Sequence, residues 1–548
     1  MTATPEHGPL LSVEGLSVAY RVGRTTRQVL HDVSFELAPG QVLALVGESG
    51  SGKTTTGHAV LGLLPDNGEV VGGRIRFRGQ VLTDLTPKGW RAVRGSAVGL
   101  VSQDPTVSLD PVRRVGAQVE DVLLLHTDLD ADARARRVHE LFELVGFTDV
   151  ERRVRQYPHE LSGGMRQRVL VAAAIAVEPA LIIADEPTSG LDATVQKQVL
   201  DLIDDLRRRS GTAVVLVTHD LGVAADRSDL IGVMHEGRLV EVGPTAEVIA
   251  SPQHDYTRRL LDAVPSRRPV TRREPRSAAP ADRVVEVRDL TKTYGDLAAV
   301  DGVSFDVRRG ETFAIVGESG SGKSTTARVL TGLTEATSGS VRLLGTDVTH
   351  LDRAAFRPLR RSVQIVYQNP FASFDPRFDV HDVVEEPLRS FAPRSSWVPA
   401  RRAQRRREHE ERVVAALEAA ALPADFARRH PRELSGGQRQ RVAIARALVL
   451  EPEVVVLDEP ISALDVSVAA QILDLLRRLQ EERGLTYVFI SHDLAVVRAI
   501  SDRVAVMQHG RVVEQGPTER VFSAPADLYT ERLLDAIAGR ALTPGAAS

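Results

Sequence analysis

Eight consecutive residues occur twice in this chain almost unchanged. Gly47-Glu48-Ser49-Gly50-Ser51-Gly52-Lys53-Thr54 returns 270 positions later as Gly317-Glu318-Ser319-Gly320-Ser321-Gly322-Lys323-Ser324. Both match G-x-x-x-x-G-K-[ST], and both follow an apolar, strand-like run, 42–46 and 313–316. Glycines let backbone N–H groups curl around an anion. The lysine brings a compact positive charge to the β/γ-phosphates, and the Thr or Ser hydroxyl is placed to hold Mg²⁺. Strand, loop and helix N-terminus together form an anion site. Only five of the 69 Lys and Arg residues are lysines, and two of the five are Lys53 and Lys323. A planar guanidinium fork is too large for that position.

The halves align beyond the loops. Leu161-Ser162-Gly163-Gly164 maps onto Leu434-Ser435-Gly436-Gly437, Asp185-Glu186-Pro187 onto Asp458-Glu459-Pro460, and His219 onto His492, all at an offset of 273. A constant offset means one domain duplicated. The 548 residues and 43 % hydrophobic content suit several cores. The expected organisation is a first domain over 1–265, a Pro-, Arg- and Ser-rich linker over 266–283, and a second domain over 284–540. Period-2 strands are expected at 11–20 and 284–294, helical middles at 104–161 and 369–434, and buried strands at 180–184, 213–217, 454–457 and 487–490. Continuous apolar strands alternating with helices imply a parallel sheet covered on both faces.

Composition excludes several classes. The net charge of −4 gives no case for nucleic acid. With no cysteine there are no disulfides, thiolate zinc sites or cysteine-ligated iron–sulfur clusters, and a reducing cytosol suits the chain. The first ten residues lack the basic start and apolar stretch of a secretory signal. No run approaches the ~18–20 apolar residues of a membrane span, so a membrane role is peripheral. The basic run Arg401-Arg402-Ala403-Gln404-Arg405-Arg406-Arg407 precedes Glu408, Glu410 and Glu411 and reads as a solvated helix with i,i+4 pairs.

The apolar runs ending in Asp185-Glu186 and Asp458-Glu459 match Walker B strands, in which the aspartate holds Mg²⁺ through water and the glutamate polarises the attacking water. Ser162-Gly163-Gly164 and Ser435-Gly436-Gly437 resemble the signature motif of ATP-binding-cassette (ABC) ATPases. The resemblance covers nearly the whole chain, linker excepted. It implies two tandem P-loop NTPase domains, each a RecA-like α/β core with an antiparallel β subdomain and a helical subdomain. It implies ATP and Mg²⁺ as cofactors, with Thr55 and Thr325 completing the nucleotide-binding loops. In the family, Gln103 and Gln368 occupy the Q-loop, which senses Mg²⁺ and the γ-phosphate, and His219 and His492 match the switch histidine. Ser189-Gly190-Leu191-Asp192 and Ser462-Ala463-Leu464-Asp465 match the D-loop. Tyr20 and Tyr294 stand where an aromatic stacks on adenine; Arg21 to Arg27 looks like a hairpin insertion beside the first. Met165 in place of Gln438 is the one motif asymmetry and touches no obvious chemistry.

Tyr256-Thr257-Arg258-Arg259-Leu260-Leu261 and Tyr529-Thr530-Glu531-Arg532-Leu533-Leu534 close the two halves alike, and are similar to the C-terminal extension of oligopeptide/dipeptide/nickel importer ATPases. Gln368-Asn369-Pro370-Phe371-Ala372-Ser373-Phe374-Asp375-Pro376 looks like the second ATPase of that group. The resemblance implies an ATP-hydrolysing subunit on the cytoplasmic face of a bacterial plasma membrane. Its partners would be two integral-membrane permease subunits and an extracytoplasmic solute-binding protein, with the two cassettes pairing within one chain. Di- or oligopeptides lead as solute; nickel chelates and glutathione stay open. A tandem-cassette factor acting on ribosomes is the other reading, but such proteins carry a long, charged, helical linker and lack the Tyr-Thr ends.

Overall fold

The computed structural model describes residues 8–267, 283–391, 399–462, 464–539 and 542. Most of the expected 266–283 linker, and Ala463 of the second D-loop, lie outside them. Contacts divide the chain into two compact units, ending at Arg267 and Ile537; Ala538, Gly539 and Leu542 cluster with the first unit.

In the first unit a six-stranded sheet runs in the order Arg238–Pro244, Leu230–His235, Val42–Val46, Ala213–Val217, Leu181–Asp185, Val98–Val101. Its strands are parallel except Arg238–Pro244, which folds back on Leu230–His235. The second unit repeats this order with Arg511–Pro517, Arg503–Gln508, Thr312–Val316, Thr486–Ile490, Val454–Asp458 and Val363–Val366. The strand ahead of each glycine loop thus sits inside the sheet, covered on both faces, with every residue buried.

The period of two sorts side chains to opposite faces. Leu43 and Leu45, Leu181 and Ile183, and Val215 and Val217 join one core, shared with Leu11, Leu16, Leu30 and Ile75 of a four-stranded antiparallel sheet. Val42, Ile182, Ala184, Val214 and Leu216 join another, with Val119, Leu141 and Phe142 of the helical segment. The antiparallel subdomain and the helical subdomain therefore lie on opposite faces of the α/β core, and the second unit has the same pair of cores.

The expected strands appear within one or two residues. The first runs Leu11–Val22, two residues past Tyr20, and pairs Tyr20 with Arg27 across a hairpin closed at Val22 and Thr25. In the second unit Tyr294 pairs with Leu297 at the hairpin end itself. The basic run falls in the helix Pro399–Ala419, where Gln404 donates to Glu408 at 2.9 Å. The sequence reading did not foresee the antiparallel hairpin that closes each large sheet.

Because the units have separate cores, a cavity in one should be felt there alone. Leu45→Ala should destabilise the first unit by about 2–5 kcal/mol. Hydrogen exchange resolved by peptide should show faster exchange up to Arg267 and wild-type exchange in the second unit.

Candidate active sites

Each glycine loop is held in a shape other residues resist. Gly47 has φ 148°, and a Cβ there would lie 2.2 Å from the backbone oxygen of Met234; Gly317 has the same φ and would meet Met507 O at 2.1 Å. Gly50, at φ 78°, faces open space, so its need for glycine is conformational alone. The Gly237 N–H donates to the Ser51 carbonyl at 3.1 Å, and Gly510 does the same for Ser321. The buried Lys53 ammonium donates to the carbonyls of Gly47 (2.8 Å) and Glu48 (2.9 Å), and Lys323 to those of Gly317 and Glu318 (both 2.8 Å). Ser51 Oγ is buried and finds no hydrogen-bond partner among the described residues, as suits a loop that receives a ligand. Lys53 and Thr54, followed by Thr55, open the helix Lys53–Val60, and Lys323, Ser324 and Thr325 open Lys323–Leu330.

The strand ends bring the expected acids to the loops. Thr54 Oγ1 donates to Asp185 Oδ1 at 3.1 Å, and Ser324 Oγ to Asp458 Oδ1 at 3.1 Å. A hydroxyl beside a carboxylate is a hard-oxygen donor pair that fits Mg²⁺. Burial pushes the Asp185 and Asp458 carboxyls above the usual carboxylate range, against the pull of those hydroxyls. His58 Nε2 stands 3.8 Å from Asp185 Oδ2, and Arg328 occupies the corresponding place near Asp458. The sequence reading missed this basic partner, although it recurs at the loop offset of 270.

The neighbouring glutamates are pushed the other way. Burial raises Glu186, but the hydrogen bond and charge of His219, with Lys53, hold it below the ordinary carboxylate value. His492 and Lys323 do the same for Glu459, and the Glu459 hydrogen bond raises the His492 imidazole in turn. Gln103 Nε2 donates to Glu186 Oε2 at 2.8 Å, and His219 Nδ1 lies 3.2 Å from Glu186 Oε1. Gln368 Nε2 and His492 Nδ1 meet Glu459 Oε2 at 2.8 and 3.2 Å. Both glutamates sit at positive φ, 45° and 48°. Each turns sharply off its strand while its N–H stays bonded to the end of the next strand, at Val217 O (2.9 Å) or Ile490 O (3.0 Å). Such backbone strain persists only where surrounding structure fixes it.

The remaining expected residues fall into two groups. Ser162 caps the helix Gly163–Ile175 by accepting from Met165 N–H, and Ser435 caps Gly436–Leu448 through Gln438 N–H, both at 3.3 Å. Gln438 Oε1 also accepts from Ser435 N–H at 3.0 Å, closing a capping box. Met165 has no such acceptor, so the motif asymmetry is a difference in helix capping. A Cβ on Gly163 would meet nothing within 4 Å, whereas one on Gly164 would strike Val195 at 2.5 Å and one on Gly437 would strike Val468 at 2.3 Å. Packing demands the second glycine; the first leaves the helix start open at Gly163, and at Gly436 a Cβ would make only an ordinary contact with Leu464 at 3.4 Å. The two tyrosines differ. Tyr20 is half-buried over Gly68, with its hydroxyl 3.5 Å from Thr55 Oγ1. Tyr294 is 48 % exposed, with the Lys292 ammonium 5.1 Å from its ring centroid.

Gly47→Ala and Gly317→Ala should each abolish phosphate binding at their own loop, because a backbone carbonyl cannot move aside. Gly50→Ala carries only the cost of a left-handed residue, about 1 kcal/mol. Calorimetric titration with a nucleotide should therefore show complete loss at one site for the first two, and weakened binding for the third.

Comparison with known proteins identifies the family. The ABC transporter family model matches residues 30–189 and again 300–462. The model for the oligopeptide/dipeptide transporter C-terminal region matches 240–288. The chain is 42 % identical, over 540 residues and 96 % of both chains, to a peptidoglycan transport ATP-binding protein, YejF, of Agrobacterium fabrum. It is 40 % identical to the oligopeptide transport ATP-binding protein OppD of Mycobacterium tuberculosis, covering 96 % of this chain and 98 % of that one. It is also 40 % identical to the glutathione import ATP-binding protein GsiA of Pectobacterium atrosepticum, covering 96 % and 89 %. Two matches to the family model in tandem, each spanning a glycine loop and the acidic strand end that meets it, place the chain in the ABC transporter family as an ATP-hydrolysing protein with two cassettes in one polypeptide.

Proposed function

We propose that the chain energises import of small peptides or peptide-like solutes by hydrolysing ATP at both loops. The observation that carries the hydrolytic part is the repeated clamp on Glu186 and Glu459, each ionised and aimed by a glutamine and a histidine. The loop amides of 47–55 and 317–325, with Lys53 and Lys323, hold the β/γ-phosphates. Water attacks the γ-phosphorus, and Glu186 or Glu459 takes its proton as the bond to ADP breaks. His219 and His492 orient the glutamate and reach toward the γ-phosphate, while Tyr20 and Tyr294 flank the adenine. Thr54 with Asp185, and Ser324 with Asp458, would hold Mg²⁺, which offsets phosphate charge; Gln103 and Gln368 are placed to sense it. General-base assistance of this kind is worth roughly 10²–10⁴ in rate.

The chain works with partners. Among the described residues no helix is long and apolar enough to cross a membrane. Beyond Gln103 the segment exposes Val107 (83 %) and Val112 (80 %), and beyond Gln368 it exposes Phe371 (45 %). Apolar side chains following the residue that touches the catalytic glutamate suit docking of a membrane subunit. Two permease subunits would hold the protein at the cytoplasmic face of a bacterial membrane, with a solute-binding protein outside. The open helix starts at Ser162 and Ser435 suit the exposed charge of a nucleotide on the opposite cassette of the same chain. The cassettes are taken as 1–265 and 284–540, joined by 266–283. The peptide assignment rests on the C-terminal-region match at 240–288 and on the relatives' names.

Glu186→Gln and Glu459→Gln should each cut turnover of the assembled transporter strongly, by about 10²-fold or more at that site, with ATP binding retained. Wild-type turnover in either variant would remove that site from catalysis. Because the chain has no cysteine, Ser49→Cys with Ser435→Cys offers a clean crosslink. It should form within one chain when ATP is present; links only between chains would refute internal pairing. Deleting the gene should abolish uptake of labelled di- or tripeptides, glutathione being assayed separately. Unchanged peptide uptake with loss of another solute would overturn the peptide assignment and leave the ATPase standing.

A further inference from the structure

The C-terminal extensions reach into the nucleotide loops. The helix Asp255–Asp262 buries Tyr256, Thr257, Leu260 and Leu261. Tyr256 is 4 % exposed, and its ring stacks on His235 with centroids 3.9 Å apart. Its hydroxyl oxygen accepts a hydrogen bond from the Glu48 backbone N–H at 3.1 Å, across 208 residues of sequence. The second unit repeats the contact: Tyr529 of the helix Leu528–Asp535 accepts from the Glu318 N–H at 3.1 Å. Each extension is tied to the closing hairpin by one carboxylate. Glu241 accepts from the N–H groups of Gln253 (2.8 Å) and His254 (3.1 Å), and Glu514 from those of Ala526 (2.9 Å) and Asp527 (3.2 Å).

The peptide bonded by Tyr256 is the one joining Gly47 to Glu48. Its carbonyl accepts from Lys53 Nζ at 2.8 Å while its N–H donates to Tyr256. In a trans peptide those two groups point in opposite directions, so lysine and tyrosine clamp one plane from its two edges. The clamp sits beside Gly47, whose lack of Cβ makes peptide rotation easy. Rotation would swap carbonyl and N–H, setting the N–H against the Lys53 ammonium, donor facing donor, and obliging the Tyr256 hydroxyl to turn from acceptor to donor. Tyr529, the Gly317–Glu318 peptide and Lys323 form the same arrangement.

We propose that Tyr256 and Tyr529 are positioning residues for the two nucleotide sites: the hydroxyl of each locks the first peptide plane of its loop and thereby sets nucleotide affinity. This rests on the reading of the loops as ATP sites. The hydroxyls act through the loop and touch no reacting atom.

The test uses the full chain and ATP itself. Tyr256→Phe and Tyr529→Phe keep the ring and its packing. Each should weaken ATP binding at its own site by about 3- to 10-fold, the range for one neutral hydrogen bond. The KM of the assembled transporter should rise while kcat stays within about twofold. Amide exchange at Glu48 or Glu318 should quicken, and the nucleotide-free Tm should fall by less than in Leu260→Ala. Leu260→Ala is the comparison, because it loosens the extension and keeps the hydroxyl; it should lower Tm with a smaller effect on ATP affinity. Phe variants with wild-type ATP affinity and KM would overturn the proposal. So would a Leu260→Ala variant that loses as much ATP affinity as Tyr256→Phe, since packing alone would then explain the effect. A wild-type chain that binds no ATP is a different result and would overturn the nucleotide reading itself.

Discussion

Everything at either site depends on a loop bent tightly enough to turn its amides toward one point. That bend requires Gly47 and Gly317 at φ 148°, pressed against the backbone of Met234 or Met507 where no Cβ fits. The central position of the preceding strand supplies the rigidity. Val42–Val46 is hydrogen-bonded on both sides and buried on both faces, so its end cannot drift. Neighbouring strands then end beside the loop and deliver Asp185 with Glu186, and His219 just past Val217. Placement of functional groups at the carboxyl ends of parallel strands follows from this topology.

Two adjacent acids differ in charge preference because their surroundings differ. Asp185 sits deeper, beside a hydroxyl, and burial disfavours its anion. Glu186 turns out of the strand at positive φ and meets a histidine, which favours the anion. On the proposed reading the first carboxylate would hold a cation, whose charge would restore its anion, and the second would act as base. The strained backbone of the glutamate is what separates them.

The duplication preserved the chemistry and let its supports vary. Both units keep the loop, the acids, the glutamine and histidine, and the tyrosine behind the loop. They differ in the capping box at Ser435, in His58 against Arg328, in the longer hairpin beyond Tyr20, and in the exposure of the two hairpin tyrosines. These differences lie in second contacts, where one hydrogen bond or one basic group can replace another without moving a reacting group.

The sequence by itself determined the duplication, the loops, the acidic strand ends and the buried strands. Each depends on residue types at short spacing: glycines before Lys53, a five-residue apolar run before Asp185, a serine ahead of two glycines. Long-range partnerships were decided only by the tertiary structure. By sequence Tyr256 belongs only to a segment that closes the first half, and nothing local shows that its hydroxyl reaches Glu48 across 208 residues. The division of labour between Gly163 and Gly164 was equally hidden, since it depends on Val195 from a different helix. The Met165 and Gln438 difference looked inert because a capping box appears only once Ser435 takes its backbone geometry. Local pattern fixes which groups are present, and packing decides which of them meet, because a hydrogen bond depends on distance and direction and not on separation along the chain.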